Sequence, residues 1–189
     1  YEIPKRDWSS DVCSSDLYYL NGDKYVGDIL KSKRHGMGRY YYANGDMYEG
    51  EFKRDKFNGR GSIFFADGRQ LITTFTDNQP APTGTLIYPN ADRYDGEILH
   101  GKAHGKGIYT YADGSRYSGT MRNDRITGRG IIDYANGDRY TGELRNGKYH
   151  GLGRKSFGEG RVPLEGRWTM AASYVRKRYA DQIAGLADE

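Results

Sequence analysis

Hydrophobic and polar residues alternate along most of this chain, and the alternating segments recur at a constant interval. Steps of 23 residues from Gly22 reach residues 45, 68, 91, 114, 137 and 160, and this register holds for six full repeats without an insertion. A fixed period of this length indicates a repeat architecture. Positions within a repeat are counted below from its first residue, which is position 0.

Each repeat contains two segments with the periodicity of a β-strand. Apolar or small residues occupy positions 3, 5 and 7 and then 14, 16, 18 and 20, with polar residues between them, as expected for strands with one covered face. Turn-forming pairs such as Asn146-Gly147 lie between the segments, at positions 9 and 10, and Asn-Gly strongly favours a tight hairpin. The pattern therefore predicts one antiparallel hairpin per repeat.

Two columns of residues define the expected packing. A turn at positions 9 and 10 places position 7 opposite 12, position 5 opposite 14 and position 3 opposite 16. Glycine is costly in a strand unless another group approaches its backbone closely, so we expect tyrosine rings at position 3 to stack over the glycines at position 16 and cover one sheet face. The tyrosines are Tyr25, Tyr48, Tyr94, Tyr117 and Tyr140, and the glycines are Gly38, Gly61, Gly84, Gly107, Gly130 and Gly153.

These repeats resemble those of a known family. Asp-Arg-Tyr-Asp-Gly-Glu-Ile at 92–98, followed by His-Gly-Lys-Gly-Ile-Tyr-Thr-Tyr at 104–111, is similar to the MORN (membrane occupation and recognition nexus) repeat. A partial repeat at 160 carries Leu164 and Gly166 in place of tyrosine and glycine. We therefore predict an all-β fold, an elongated single-layer antiparallel ribbon of tandem 23-residue hairpins. The repeats that match well start at residues 22, 45, 91, 114 and 137.

The repeat that starts at residue 68 departs from the pattern. Leu71, Thr73 and Pro82 replace the usual tyrosine and glycines, and Pro80 lies two residues before Pro82. Proline cannot donate a hydrogen bond to a strand ladder. We therefore predict a widened loop or bulge between Asp77 and Thr83, with the strand resuming at Gly84.

The repeat array is predicted to cover residues 18–168, with a different segment at each end. Residues 7–17 resemble the translated product of a sequencing-adapter oligonucleotide, so residues 1–17 are interpreted as an uncertain or artefactual N-terminus. The native N-terminus is then expected to be missing. The single cysteine, Cys13, lies in this segment and does not indicate a redox compartment.

The C-terminal segment, residues 169–189, is predicted to contain an α-helix. Apolar residues between Met170 and Leu186 fall near helical spacing, and Thr169 is a suitable N-cap. The helix either closes the exposed edge of the last strand or docks on a partner or a membrane surface through its basic residues. Those residues are Arg176, Lys177 and Arg178.

Composition narrows the class of protein. Hydrophobic residues make up 36% and the mean hydropathy is −0.89, which argues against a thick core, while 18 tyrosines argue against disorder. A formal charge of +4 permits attraction to anionic surfaces without requiring it. No apolar run approaches the roughly 18 residues that a membrane-spanning helix needs.

The motifs do not indicate catalysis, a metal site or a cofactor. His35, His104 and His150 recur at position 13 because the hairpin recurs, and the last two are expected about 20 Å apart on the strand spacing. Each is expected to form a surface pair with the acidic residue at position 6. The Gly-x-Gly pairs do not lead into a helix, as phosphate-binding loops do. The sequence therefore predicts a protein that is not an enzyme.

Charged residues form columns along the predicted ribbon. Acidic residues occupy position 6 in four of six repeats and basic residues occupy position 11 in five. These columns either keep the sheet soluble or provide a basic track for anionic lipid headgroups or an acidic partner. Nucleic acid is an unlikely ligand because the acidic column runs beside the basic one. The candidate contacts at position 11 are Lys33, Lys56, Lys102, Arg125 and Lys148.

Three functions agree with these features. The first is a non-catalytic scaffold that binds another protein. The second, which the MORN resemblance implies, is a peripheral membrane module that binds acidic phospholipids. The third is the regulatory part of a larger enzyme, because MORN repeats occur beside lipid kinase and methyltransferase domains. A cytoplasmic or peripheral membrane location is expected, and the sequence does not identify the partner.

Overall fold

A computed structural model of the protein describes residues 12–158, 161–168 and 174–176, with backbone alone for 12–14 and 174–176. All regular structure in these ranges is β-strand, so the described residues contain no helix that could cross a bilayer. The strands are β1 (Val12–Tyr18), β2 (Lys24–Leu30), β3 (Lys33–Tyr41), β4 (Met47–Lys53), β5 (Lys56–Phe64), β6 (Gln70–Thr76), β7 (Gln79–Pro80), β8 (Thr83–Ile87), β9 (Arg93–Leu99), β10 (Lys102–Thr110), β11 (Arg116–Arg122), β12 (Arg125–Asp133), β13 (Arg139–Arg145), β14 (Lys148–Ser156), β15 (Leu164–Trp168) and β16 (Tyr174–Arg176).

The chain divides into two compact units, residues 1–85 and 86–189, with the division inside β8. In the first unit, β1 to β6 lie side by side in chain order and each pair is antiparallel. In the second unit, β9 to β16 do the same. The prediction of an all-β fold built from an open antiparallel sheet is confirmed.

The hairpin turns lie where the sequence pattern places them. Positions 9 and 10 have positive φ in all six repeats, for example 52° at Arg54 and 70° at Asp55, the conformation of a two-residue type I′ turn. Beside this turn Phe52 pairs with Phe57, so position 7 faces position 12 as predicted. The turns therefore set the pairing of the first rungs of each hairpin.

Beyond these rungs the predicted register is wrong. Gly50 pairs with Gly61, and the ladder shifts between Gly50 and Phe52, so position 5 faces position 16 instead of 14. The shift is a β-bulge on the second strand, where Gly59 at position 14 has a φ of 92°. A bulge adds unpaired residues to one strand, and this addition moves every later pair by two residues.

The acidic residue at position 6 closes this bulge. Glu51 accepts a hydrogen bond from the backbone nitrogen of Arg60 at 3.0 Å, and Glu97 accepts one from that of Lys106 at 2.9 Å. Asp28 accepts the equivalent bond at 3.0 Å. Asp28 and Glu97 therefore bond to the backbone instead of to His35 and His104, because the bulge leaves an amide without a ladder partner. Glu143 lies opposite His150 in the register, as expected.

The repeat that starts at residue 68 is interrupted, but the widened loop predicted between Asp77 and Thr83 is wrong for most of that range. Its turn is regular, and Thr76 pairs with Gln79 and Phe75 with Pro80. The interruption covers only residues 81–82, and β8 begins at Thr83, one residue earlier than expected. Pro82 stands at position 14, where its ring prevents the positive φ that the bulge glycine adopts in other repeats.

At the C-terminal end the partial repeat forms and part of the predicted helix does not. In β15 Gly166 pairs with Gly153 and Leu164 with Lys155, the same pairing that glycine and tyrosine make elsewhere. Within the predicted helix, residues 174–176 form β16 instead, paired to β15. The free edge of β15 offers unpaired backbone groups that an added strand satisfies. The remainder of the predicted helix lies outside the described residues.

Candidate functional site

The tyrosines at position 3 are fully buried and lie flat across the paired glycines of their hairpins. The hydroxyl of Tyr48 donates a hydrogen bond to the backbone oxygen of Glu51 at 2.9 Å, and a Cβ atom at Gly61 would lie 2.5 Å from that hydroxyl. The predicted stacking of rings over glycines is thus present, although the register that produces it is different. The residues with this arrangement and 0% exposure are Tyr25, Tyr48, Tyr94, Tyr117 and Tyr140.

Burial raises the pKa of four of these hydroxyls to about 12, namely those of Tyr25, Tyr94, Tyr117 and Tyr140. A phenol with a raised pKa stays protonated and donates its hydrogen bond throughout the physiological range. These hydroxyls serve packing, because each is used inside its own hairpin.

On the opposite face the paired glycines leave the backbone uncovered. In the second unit this creates an open groove of about 940 Å³, here named the glycine groove. Its floor is the pairs Gly130–Gly142 and Gly153–Gly166. Its walls come from positions 4, 15 and 17, which alternate with the tyrosine and glycine positions and so point away from the rings. The wall residues are Ser118, Arg129, Ile131, Thr141, Leu152, Arg154 and Glu165.

The walls of the glycine groove combine exposed apolar side chains with both signs of charge. Ile131 is 37% exposed and Leu152 57% exposed. Arg129 lies 3.7 Å from Glu143 and its side chain is 78% exposed, so its guanidinium remains accessible to a ligand. This mixture differs from a purely solvated charged face and can contact apolar, acidic and basic groups together.

The basic residues proposed from the sequence lie next to the hairpin turns. Lys33 and Lys56 are exposed in the first unit, and Lys56 lies 3.5 Å from Asp77. The corresponding residues of the second unit, Lys102 and Arg125, are exposed in the same way, as is Lys148. The position-11 column is thus an exposed edge in each unit. The side chains of Arg176, Lys177 and Arg178 lie outside the described residues.

In the second unit the strands before the turns at 123–124 and 146–147 add further positive charge, as Lys53 does opposite Lys56 in the first unit. Arg122 pairs directly with Arg125, and Arg145 with Lys148. Like charges directly opposite each other destabilise a sheet, and among the described residues none of the four forms an ion pair. These four residues, here named the basic rim, are therefore available to an anionic partner. The sequence shows them at positions 8 and 11, but only their pairing reveals the cluster.

Comparison with known families gives an independent test of the repeat assignment. The MORN repeat profile matches five segments that together exceed half of the chain: residues 25–47, 48–68, 94–116, 117–139 and 140–160. The chain belongs to the MORN repeat family. Each matched segment begins at the position-3 tyrosine, and the matches omit most of the divergent repeat that starts at residue 68.

The MORN repeats of this chain also resemble solved structures at low sequence identity, whereas no curated protein matches the chain in sequence. The TCP domain of SAS-4 (dCPAP) of Drosophila melanogaster, in complex with a proline-rich motif of Ana2 (dSTIL), has a TM-score of 0.44 at 12% identity, covering 87% of this chain and 84% of that domain. The G-box domain of the microcephaly protein CPAP has a TM-score of 0.35 at 16% identity, covering 82% and 86%. At such TM-scores the likeness does not extend to function.

The glycine groove is the feature of these MORN repeats that sequence reasoning missed. The predictions from sequence covered the charged columns at positions 6 and 11 and did not extend to the wall positions. Apolar residues at wall positions, such as Ile131 and Leu152, are the signal that indicates more than solubility. The depth of the groove depends on the bulge register, which aligns positions 5 and 16 and so joins two glycine columns into one floor.

Proposed function

We propose that this MORN repeat chain is a non-catalytic module that binds a segment of another protein in the glycine groove. The observation that carries the proposal is the groove itself, with a floor of paired glycines and exposed Ile131 and Leu152 on its walls. A glycine floor lets a ligand approach the sheet backbone closely. Exposed apolar side chains bordered by polar ones are typical of protein interaction sites.

A polypeptide segment fits this groove better than a small polar ligand. The groove is open along its length and crosses several strands, from Ser118 on β11 to Glu165 on β15. Its walls supply apolar contacts as well as guanidinium and carboxylate groups. A peptide provides all the complementary groups on one chain, because backbone and side chains alternate along it.

The test is a selection of peptides from a random display library on the purified chain, followed by affinity measurement. Ile131→Asp with Leu152→Asp should abolish binding of the selected peptides without loss of folding, since both side chains are exposed. Met37→Asp is the matched control, because Met37 occupies the same repeat position as Leu152 and is also 57% exposed. Failure to select any peptide, or selected peptides that bind the double variant normally, would refute the groove as the binding site.

A second candidate function is binding to acidic phospholipid surfaces through the basic rim. The observation that favours it is the direct pairing of Arg122 with Arg125 and of Arg145 with Lys148. Such pairs cost stability in the isolated protein and gain from an anionic surface. The groove is ranked first because the acidic groups of Glu143 and Asp124 lie on the same strands or turns and reduce the net attraction.

A further inference from the structure

The first unit contains an arginine held against aromatic rings on the tyrosine face. The guanidinium carbon of Arg34 lies 5.0 Å from the centroid of Tyr40 and 5.6 Å from that of Phe52. Its Nη2 donates a hydrogen bond to the backbone oxygen of Asp55 at 2.6 Å, and its Nε lies 3.5 Å from the carboxylate of the same residue. The side chain is only 18% exposed, so this is a built site for a guanidinium group.

The second unit repeats this site three repeats later with the arginine removed. Position 12 is Arg34 in the first site and Ala103 in the second. The residues that contact the guanidinium in the first site have equivalents at the same repeat positions. The Tyr25 ring also lies 5.9 Å from the guanidinium carbon, and the four equivalents are Tyr94, Tyr109, Met121 and Asp124.

The aromatic walls of the two sites have nearly the same geometry. The ring centroids of Tyr19 and Tyr40 lie 5.7 Å apart with an angle of 40° between the ring planes. For Tyr88 and Tyr109 the distance is 5.5 Å and the angle is 44°. On the other side of Tyr40, the central tyrosine of the first site, the centroid of the Tyr42 ring lies 4.8 Å away. In the second site Tyr111 lies 4.9 Å from the central Tyr109. The central tyrosine donates a hydrogen bond to an aspartate at 2.7 Å and 2.6 Å respectively. Replacement of the arginine by alanine therefore leaves these walls in place.

An open pocket of about 280 Å³ lies at this point of the second unit. Three of the four equivalents, Tyr109, Met121 and Asp124, line it, whereas Tyr94 does not. In its wall Tyr88 donates a hydrogen bond to Asp124 at 3.0 Å. Ala103 is fully buried behind the lining, and its backbone nitrogen donates to Asp124 at 2.8 Å. The residues that line the pocket are Tyr88, Tyr109, Tyr111, Met121, Asp124, Arg125, Ile126, Asn146 and Gly147.

We propose that this pocket receives an arginine side chain of a protein partner, which takes the place that Arg34 occupies in the first unit. The inference rests on the proposed protein-binding function and adds a second contact on the other face of the sheet. Arginine stacks on aromatic rings while it bonds to a carboxylate or a carbonyl. It is also enriched among the residues that dominate protein interfaces.

The charges at the pocket agree with this occupant. Asp124 supplies a carboxylate, and Asp92 lies behind the Tyr109 ring as its hydrogen-bond acceptor. Arg125 also lines the pocket. In the first unit Lys56 occupies the equivalent position and lies 3.5 Å from Asp77, whereas Asn146 stands at the Asp77 position in the second unit, so the charge of Arg125 is not offset in the same way and weakens the attraction for a guanidinium. The two carboxylates, Asp124 and Asp92, outnumber this one cation.

The test is an NMR titration of the tyrosine-labelled chain with N-acetyl-arginine amide and, separately, with N-acetyl-lysine amide. We expect the arginine compound to shift tyrosine signals at one site and the lysine compound to bind more weakly, because an ammonium lacks the planar fork that stacks on a ring while it bonds to a carboxylate or a carbonyl. Ala103→Arg should abolish the effect by filling the pocket internally. Ala112→Arg, which adds the same side chain at an exposed turn, should leave it intact. Equal binding of both compounds, or binding that persists in Ala103→Arg, would overturn the proposal.

A second variant keeps the test decisive if Ala103→Arg folds poorly. Arg34→Ala should open the equivalent site in the first unit, so that two sites bind the arginine compound instead of one. No gain of a site would contradict the equivalence. Ile131→Asp with Leu152→Asp distinguishes this pocket from the groove, since it should remove binding of selected peptides that lack arginine and leave the arginine titration unchanged. Either function can therefore fail without the other.

Discussion

The ring of Tyr94 lies so close to the backbone of Gly107 that a Cβ atom on that glycine would come within 2.5 Å of the tyrosine hydroxyl oxygen. The hydroxyl itself donates a hydrogen bond to the backbone oxygen of His104 at 2.8 Å. The ring is therefore held at both its face and its tip, and it cannot move aside without losing a buried hydrogen bond. The same relationship recurs in the other matched repeats, so glycine at position 16 is a steric requirement of the fold.

Gly107→Val is expected to destabilise the protein far more than Lys106→Val. The valine side chain must displace the Tyr94 ring, and overpacking of this kind typically costs about 1–3 kcal/mol. Lys106 is exposed on the opposite face, so its replacement should have little effect. Urea denaturation of the two variants measures the difference. Equal midpoints would show that the ring does not depend on the glycine.

Gly105→Ala is expected to cost more stability than Gly114→Ala. Both glycines have positive φ, 61° and 88°, so both alanines pay the backbone cost of about 1–2 kcal/mol for the left-handed region. A Cβ atom at Gly105 would also collide with the carboxylate of Glu97, whereas one at Gly114 has nothing within 4 Å. Alanine is native at the position of Gly114 in one repeat, where Ala91 has a φ of 66°. Thermal unfolding that ranks the variants in the opposite order would exclude Glu97 as the bulge cap.

Much of the fold follows from local chemistry that a sequence displays. The period, the two strands of each hairpin and the turn are visible because alternation and turn-forming pairs act over a few residues. The stacking of Tyr48 over Gly61 was also predictable, since both columns hardly vary. The register was not, because Gly59 at position 14 was interpreted as a strand residue opposite Gly50, and nothing local distinguishes a bulge glycine from a strand glycine.

The candidate sites were less predictable than the fold. The exposed column that includes Lys148 follows directly from the repeat position, but its direct pairing with Arg145 needs the register. Neither the glycine groove nor the arginine pocket appears in the sequence pattern. The groove exists because Gly142 has no side chain, and the pocket exists because Ala103 stands where the first unit has an arginine. The absence of a side chain indicates a binding site only when the surrounding residues are known. The short strand at 174–176 replaced part of a predicted helix because a free strand edge outweighs helical spacing there.

The stability of the protein is expected to fall as the pH rises from about 10 to about 12. Burial raises the pKa of Tyr94 from 10.0 to about 12, and the same direction holds for the other position-3 tyrosines. A group with a raised pKa in the folded state contributes its full stability below the unfolded pKa and loses it as pH rises toward the folded pKa. Urea midpoints measured between neutral pH and about pH 11 should decrease over the upper part of this range.

Tyr94→Phe separates the hydroxyl from the ring in this experiment. The variant should be less stable at neutral pH by about 1 kcal/mol, since it loses the hydrogen bond to His104. It should also lose less stability on alkaline titration, because one titrating group has been removed. An alkaline loss as steep as that of the wild type would mean that Tyr94 does not contribute to the pH dependence.

Binding to acidic vesicles is expected to decide whether the basic rim serves a membrane. Each lysine or arginine near an anionic bilayer contributes about 1 kcal/mol, and salt screens this attraction. If the rim contacts lipid, co-sedimentation with phosphatidylserine or phosphoinositide vesicles should be strong at low salt and should decrease at high salt. A variant with glutamine at all four rim residues should not bind. The rim residues are Arg122, Arg125, Arg145 and Lys148.

A second four-residue variant controls for net charge. Glutamine at Arg60, Lys106, Arg129 and Arg154 removes the same number of positive charges from exposed side chains away from the rim. Retained binding in this control with lost binding in the rim variant would establish a localised lipid contact, since both variants have the same net charge. A further variant has glutamine at all five position-11 residues. It tests whether Lys33 and Lys56 of the first unit contribute to binding. The five residues are Lys33, Lys56, Lys102, Arg125 and Lys148. Equal loss in the two four-residue variants would indicate nonspecific attraction, and no binding at low salt would leave protein recognition as the function of these repeats.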